Sequence, residues 1–126
     1  MKYFPRECIL TLDELKAKCD EWKPVLGLEN WSIRIKISRQ EEIPDLSGVV
    51  YPTDPIRQAM IKISDPVDWT DEYNVYDMEQ TLVHEMLHIP FHSFIDFEGI
   101  YDVLFEQNIE LLACALVGLK RVNLAE

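Results

Sequence analysis

The segment "TLVHEMLHIPFHS", residues 81–93, contains all three histidines of the chain, and they are spaced four positions apart. Side chains four positions apart lie on one face of an α-helix. The apolar residues between the histidines have the spacing of a helix with one buried side; they are Leu82, Val83, Met86 and Leu87. The segment therefore predicts a helix that begins near Asp77, its N-cap, and runs to about Ile89.

A second helix is predicted near the start of the chain. Thr11–Glu14 has the T-x-x-E pattern of a capping box, in which each side chain bonds to the backbone N–H of the other residue. Apolar residues on one face continue to about Trp22. Pro24 and Gly27 follow, and we expect them to end the helix.

Three short strands are predicted between these helices. "WSIRIKIS", residues 31–38, alternates apolar with polar residues, which is the period of a strand with one buried face. "GVVY", residues 48–51, and "AMIKI", residues 59–63, are shorter strand candidates. "PTDP", residues 52–55, is a predicted turn between them. The polar residues 64–73 indicate an acidic loop before the histidine helix.

A last helix is predicted over residues 101–119. Apolar residues on all sides of its second half predict that it is well buried. The chain has no repeat, linker or low-complexity segment, so residues 1–126 are expected to form a single domain. Strands that precede paired helices favour an α+β fold, with an N-terminal helix, a small three-stranded sheet, the histidine helix and a C-terminal helix.

The histidine helix carries the motif H-E-x-x-H, formed by His84, Glu85 and His88. Two imidazoles one turn apart can bind the same ion, and zinc accepts imidazole nitrogen in tetrahedral geometry. Glu85 lies about 100° further round the helix, where it suits a general base that contacts a metal-held water better than it suits a ligand. The motif predicts a zinc site with Glu85 as the catalytic residue. The alternative is a packed helix whose histidines are only hydrogen-bonded.

A catalytic zinc site needs a third protein ligand. His92 lies about 12 Å from His84 along a continuous helix, which is too far for one ion. The last helix offers Glu106 and Glu110, four positions apart on one face, and buried carboxylates need a partner. We predict that Glu106 binds the metal and that Glu110 accepts the second N–H of a ligand histidine. The reverse assignment of the two acids, and a pair that faces solvent, stay open.

"EQTLVHEMLH", followed by "EQNIELLA" from residue 106, resembles the zinc metallopeptidases with a glutamate ligand, the gluzincins. Residues 12–117 are most similar to small metallopeptidases of phages and prophages, which are related to SprT-like and ImmA/IrrE-type domains. The resemblance implies a zincin-like fold, a Zn²⁺ cofactor held by His84, His88 and Glu106, and hydrolysis of peptides or proteins. It also implies that the substrate adds a strand at the sheet edge, a role that "AMIKI" could have.

Two features differ from that family. Pro90 removes a helix N–H two residues after His88, so we expect it to kink the helix or end it early. Thermolysin-like enzymes use a later histidine or tyrosine to stabilise the oxyanion, and here only Tyr101 follows His92. Tyr101 is therefore the candidate for that role, with a packing role as the alternative.

The composition restricts the partners. A formal net charge of −11, without a run of lysine or arginine, disfavours nucleic acid as a partner. No stretch approaches the roughly 18 apolar residues of a membrane span, and the first residues lack the pattern of a signal peptide. The three cysteines are far apart and form no C-x-x-C pair, which argues against disulfides. We expect a protein of the cytosol of a bacterium or a phage-infected host.

The expected function is therefore zinc-dependent peptide hydrolysis. A zinc-binding regulatory or interaction module without turnover is the first alternative, and an acidic interaction protein without metal is the second. Metal analysis separates the last of these from the other two. A protease assay with and without chelator separates the first two.

Overall fold

The computed structural model describes residues 6–53, 56–71, 74–91 and 100–125, apart from the side chains of 100–102 and 125. The elements in chain order are α1 (Leu12–Val25), β1 (Ser32–Ser38), β2 (Gly48–Thr53), β3 (Gln58–Ser64), a 3-10 turn (Pro66–Asp68), α2 (Met78–Phe91) and α3 (Ile100–Ala125). The predicted α+β class is confirmed, with one N-terminal helix, a three-stranded sheet and two C-terminal helices. Within the described ranges, none of the helices has the length and apolar character that crossing a bilayer requires.

Helix α1 begins with the predicted capping box. The backbone N–H of Glu14 donates to the hydroxyl of Thr11 over 3.2 Å, and the Thr11 N–H donates to the Glu14 carboxylate over 2.9 Å. The helix ends at Val25, between Pro24 and Gly27, the two residues predicted to end it, and Pro24 lies in its last turn. A proline in the last turn removes only its own N–H bond, and the chain leaves the helix at Gly27, whose φ is 72°.

Helix α2 begins where the sequence predicts. The Oδ1 atom of Asp77 accepts a hydrogen bond from the backbone N–H of Gln80 over 3.2 Å, which confirms Asp77 as the N-cap. The helix includes Pro90 and Phe91, so it does not end before the proline. A proline lacks the N–H that would bond to the carbonyl four residues earlier, here that of Met86, so a kink would fall in the turn that carries His88, and that expectation stays a prediction.

The sheet has the strand order β1-β3-β2. β1 is parallel to β3, with Ile35 opposite Ile61, and β2 is antiparallel to β3, with Gly48 opposite Ile63. Residues 59–63, which were expected at the sheet edge, therefore lie in the central strand, and that expectation is wrong. Because β3 is hydrogen-bonded on both sides, an added strand can pair only with β1 or β2 of this sheet.

Strand β2 is longer than the sequence predicts. Pro52 and Thr53 belong to the strand, although a turn is predicted over residues 52–55. An edge strand accepts proline because the missing N–H can be on the side without a partner. Residues 54–55 lie outside the described residues.

The core is centred on α2. Its side chains Leu82, Val83 and Met86 have 0% exposure. The same cluster contains residues of the sheet and of α1: Leu15, Cys19, Trp22, Ile35, Ile61 and Ile63. The apolar side of the histidine helix is therefore held between the sheet and the first helix, and this leaves the histidine side free to form a site.

Helix α3 buries a single stripe of residues. Ile109, Ala113 and Val117, spaced four apart, are at most 1% exposed. Leu111 and Leu119, on other sides of the helix, are 68% and 52% exposed, so the prediction that the second half of this helix is well buried is wrong for those sides. The reason is that α3 packs mainly against one element, α2, and one neighbour covers only one side of a helix.

Four charged residues join the start of α2 to the end of α3, and we call them the polar clamp: Asp77, Glu79, Lys120 and Arg121. Arg121 donates two hydrogen bonds to Asp77, of 2.6 and 2.9 Å, and Lys120 donates one of 2.5 Å to Glu79. Trp22 of α1 donates its Nε1–H to Glu79 over 2.9 Å. Because Asp77 and Glu79 are only 4% and 3% exposed, these contacts set the position of α3 along α2.

Candidate metal centre

Two histidines of α2 meet one glutamate of α3. The Nε2 atoms of His84 and His88 each lie 2.9 Å from the carboxylate of Glu106, one on each oxygen. Ligand atoms from these three residues lie within 4.8 Å of one another. Imidazole nitrogen and carboxylate oxygen both bind divalent metals. His84, His88 and Glu106 therefore form a group that could hold a metal ion, and we call them the metal-binding group.

The metal-binding group faces a cleft of about 640 Å³ between α2 and the start of β2. Residues 45–50 form one wall. The other wall contains His84, Glu85, His88 and Glu106. An edge strand and the metal-binding group therefore lie on opposite sides of the same opening.

Glu110 holds the far side of the His84 ring. With Nδ1 protonated, His84 donates a hydrogen bond to Oε2 of Glu110 over 2.6 Å. The other oxygen of Glu110 accepts a hydrogen bond from the side-chain amide of Gln80. Because Nδ1 is engaged by Glu110, Nε2 is the nitrogen that faces Glu106, which is the tautomer a metal ligand needs. Among the described residues, the metal-binding group thus includes Glu106 and not Glu110.

The pKa values of the two histidines are shifted in opposite directions. Burial alone lowers the pKa of His84, but the hydrogen bond to Glu110 and three nearby carboxylate charges raise it to about 9. The pKa of His88 is lowered, mainly by burial, despite the charge of Glu106. The hydrogen bond with His84 lowers the pKa of Glu110. Without metal, His84 is therefore protonated at neutral pH, and an ion has to displace that proton.

Glu85 lies beside the metal-binding group and is only 7% exposed. Among the residues that the structure describes, none donates a hydrogen bond to its carboxylate. Burial, opposed by the charge of His84 and aided by the nearby carboxylates, raises the pKa of Glu85 to about 7. A carboxylate with this pKa can both take up and release a proton near neutrality. Its role as general base stays a prediction.

Two residues considered from the sequence cannot be placed at the cleft. His92 lies outside the described residues, and so does the side chain of Tyr101. The expectations for both residues stay predictions. Among the described residues that line the cleft there is no tyrosine.

The sequence reasoning missed two residues at the site. Gln80 supports Glu110, and its position four residues before His84 already indicates the same helix face. Gly48 approaches Glu85 closely, since a Cβ atom at residue 48 would lie 3.0 Å from Cγ of Glu85. A glycine within a predicted strand is a signal of such an approach.

Three possible metal ligands, a buried carboxylate and a strand edge thus surround one cleft. Any chemistry at this cleft depends on the positions and charges of these side chains. In comparisons with known proteins, no protein-family model, no curated protein and no solved structure matches the chain.

Proposed function

We propose that the protein is a zinc-dependent metallopeptidase. The observation that carries this proposal is the metal-binding group, whose three ligand atoms lie within 4.8 Å of one another next to the buried carboxylate of Glu85. The resemblance of H-E-x-x-H and the later E-x-x-x-E to the gluzincins supports the same reading. The geometry shows a group that could hold a metal ion. That the ion is zinc, that peptides are hydrolysed and that Glu85 acts as the base are the proposed parts.

Zinc suits these three donors. Two imidazole nitrogens and one carboxylate oxygen are a ligand set of catalytic zinc sites, which keep a fourth position for water. With bonds of about 2.0–2.1 Å, tetrahedral zinc holds its ligands roughly 3.3 Å apart. The present N···O distances of 2.9 Å are slightly shorter, and the Glu106 side chain, 54% exposed, has room to move outward.

The chemistry needs one proton carrier from the chain. When bound, zinc lowers the pKa of a water molecule to about 7 and polarises a carbonyl group. Glu85 would take one proton from the attacking water as the water oxygen bonds to the carbonyl carbon of the scissile amide. Glu85 then gives the proton to the departing nitrogen as the C–N bond breaks. The products are a carboxylic acid and an amine, and Glu85 is again ionised.

The substrate is proposed to bind along β2. This strand pairs with β3 on one side, and no other strand among the described residues pairs with its outer side. Residues 48–50 line the cleft, so a peptide paired with them passes the metal-binding group. Backbone hydrogen bonds from an added strand provide affinity that depends little on sequence. We assign this role to β2 in place of residues 59–63.

Elemental analysis and a protease assay test the proposal together. Protein purified without a histidine tag is expected to hold about one zinc per chain and to cleave an unfolded protein. A chelator should abolish cleavage, and added zinc should restore it. Glu106→Gln should lose most of the zinc. Protein that takes up no zinc when the ion is supplied would refute the whole proposal.

A zinc-binding module without turnover is the second candidate. It is favoured by one feature of the sequence: no histidine follows His92 and only one tyrosine, Tyr101, does, so few residues could stabilise an oxyanion. In that case the protein would bind one zinc and leave every tested peptide and unfolded protein intact. The same two measurements therefore distinguish the two candidates.

A further inference from the structure

Gly48, the first residue of β2, lies against the side chain of Glu85. A Cβ atom at residue 48 would be 3.0 Å from Cγ and 3.1 Å from Oε2 of Glu85. It would also be 3.0 Å from Cγ2 of Thr81, one turn earlier on α2. These distances are shorter than ordinary van der Waals contacts between carbon atoms. Any side chain at residue 48 must therefore displace Glu85, Thr81 or the strand itself.

The backbone conformation of Gly48 does not explain the glycine. Of the glycines in the described residues, only Gly27 has a positive φ, of 72°. Around Gly27, in contrast, nothing lies within 4 Å of an added Cβ atom. Residue 27 therefore favours glycine because its φ is positive. Residue 48 favours glycine because its neighbours leave no room for a side chain.

The carboxylate of Glu85 differs from the other buried acids of the described residues in its contacts. Asp77 and Glu79, the other two buried acids among the described residues, are held by Arg121 and Lys120 of the polar clamp. Glu85 receives no hydrogen bond from the described residues, so packing and the nearby charges determine where its oxygens lie. The backbone of β2 at Gly48 forms one side of that packing.

We propose that Gly48 is a positioning residue for Glu85: its missing side chain lets the start of β2 lie against the Glu85 carboxylate and directs it toward the metal-binding group. This inference rests on the proposed function, because the position of Glu85 matters to turnover only if Glu85 carries the proton. Displacement of a reacting group by about 1 Å can cost on the order of 100-fold in rate.

The test compares two glycine substitutions in the full chain. Gly48→Ala requires its neighbours to move by a few tenths of an ångström, so it should keep one zinc per chain and lose kcat several-fold, less than the roughly 100-fold of a displacement of about 1 Å. Gly27→Ala, the matched control, introduces backbone strain at a residue that does not line the cleft. It should lower Tm and leave kcat unchanged, which separates positioning from general destabilisation.

A second substitution tests whether crowding is the cause. Thr81→Ser removes the Cγ2 atom that an alanine at residue 48 would meet. In the Gly48→Ala background it gives the new methyl group room away from Glu85, so part of the lost kcat should return. If Gly48→Ala does not fold, the double variant is compared directly with Thr81→Ser. A loss of kcat that Thr81→Ser leaves unchanged would refute crowding.

A readout other than turnover separates this inference from the proposed function. With cobalt(II) in place of zinc, the visible absorption spectrum reports the surroundings of the ion. Gly48→Ala should change that spectrum in the same direction as Glu85→Gln, whereas Gly27→Ala should not change it. If the wild type cleaves nothing but Gly48→Ala shows this change, the peptidase proposal fails and the positioning of Glu85 stands. Wild-type kcat together with a wild-type spectrum in Gly48→Ala overturns the inference.

Discussion

Glu110 Oε2 lies 2.6 Å from Nδ1 of His84, on the side of the ring opposite to Glu106. Glu110 also accepts a hydrogen bond from Gln80, so two residues of α2 fix one carboxylate of α3. The ring of His84 is therefore oriented before any ion arrives. A ligand held in this way loses little conformational entropy when it binds a metal.

Replacing Glu110 by glutamine should weaken zinc binding without abolishing it. The substituted amide no longer stabilises the Nδ1–H of His84 by charge, and loss of such an outer hydrogen-bond partner typically costs roughly 10- to 100-fold in metal affinity. Competition with a chromogenic chelator measures the change. Glu106→Gln, which removes a proposed ligand, should have the larger effect. The opposite order would make Glu110 the ligand and correct the assignment.

Replacing Glu85 by glutamine should stop turnover and leave the metal in place. Glutamine has nearly the same shape but cannot carry a proton, so kcat should fall by roughly 100- to 10,000-fold. Zinc content and Tm should stay close to those of the wild type, because Glu85 is not in the metal-binding group. Normal turnover in this variant would exclude Glu85 as the base.

Zinc binding should release protons near neutral pH. The pKa of His84 without metal is raised to about 9, so its ring is protonated below that pH and has to lose a proton to become a ligand. Affinity should therefore rise as pH increases toward 9. Calorimetric titrations at pH 7.5 in buffers with different ionisation enthalpies measure the number of protons, which should be about one from this ring.

The control for proton release is Glu110→Gln. Its hydrogen bond is the main cause that raises the pKa of His84, so the variant should release fewer protons at the same pH. In the metal-free protein the raised pKa also affects stability. That contribution is complete below about pH 6.5 and is lost as pH rises through about 9. A zinc affinity that does not vary with pH would contradict this assignment.

The polar clamp should contribute measurably to stability through Glu79. Glu79 is 3% exposed and bonds to Lys120 and Trp22. Glu79→Gln leaves Lys120 without its buried partner, and the free energy of unfolding at pH 7 should fall by about 3 kcal/mol. Chemical denaturation measures it. Glu21 also lies near Lys120, at 3.5 Å, but is 53% exposed, so Glu21→Gln should have little effect.

The effect of Glu79→Gln should depend on pH. Burial raises the pKa of Glu79, but the hydrogen bonds from Lys120 and Trp22 outweigh burial and lower it below its ordinary value of 4.5. A lowered pKa means that the carboxylate stabilises the fold above about pH 4.5 and that this contribution is lost as pH falls further. Wild type and variant should therefore become more alike in acid. A difference that stays constant down to pH 3 would argue against a charged clamp.

Local patterns predict much of this molecule. The capping box at Thr11, the alternation in β1 and the i, i+4 spacing of His84 and His88 all depend on neighbours within one or two turns, and the structure agrees with each. Glu106 could be predicted as a ligand because a catalytic zinc site needs a third protein ligand and Glu106 lies on one face of the predicted last helix. These inferences use only the chemistry of nearby residues.

Contacts between distant segments were harder to predict. Strand order depends on which edges pair in space, and the alternation within residues 59–63 is the same for a central strand as for an edge. The exposed Leu111 and Leu119 show that an apolar helix surface predicts burial only where a neighbour exists. The approach of Gly48 to Glu85 joins a strand to a helix, and only the glycine itself indicated it.

The metal-binding group and the polar clamp lie at opposite parts of α3, about four turns apart from Glu106 to Arg121. An ion would fasten one part of this helix to α2, and the clamp fastens the other. We therefore expect zinc starvation to loosen the Glu106 part first while the remainder stays docked. The supply of the ion would then determine how firmly this part of α3 is docked, in addition to the proposed chemistry.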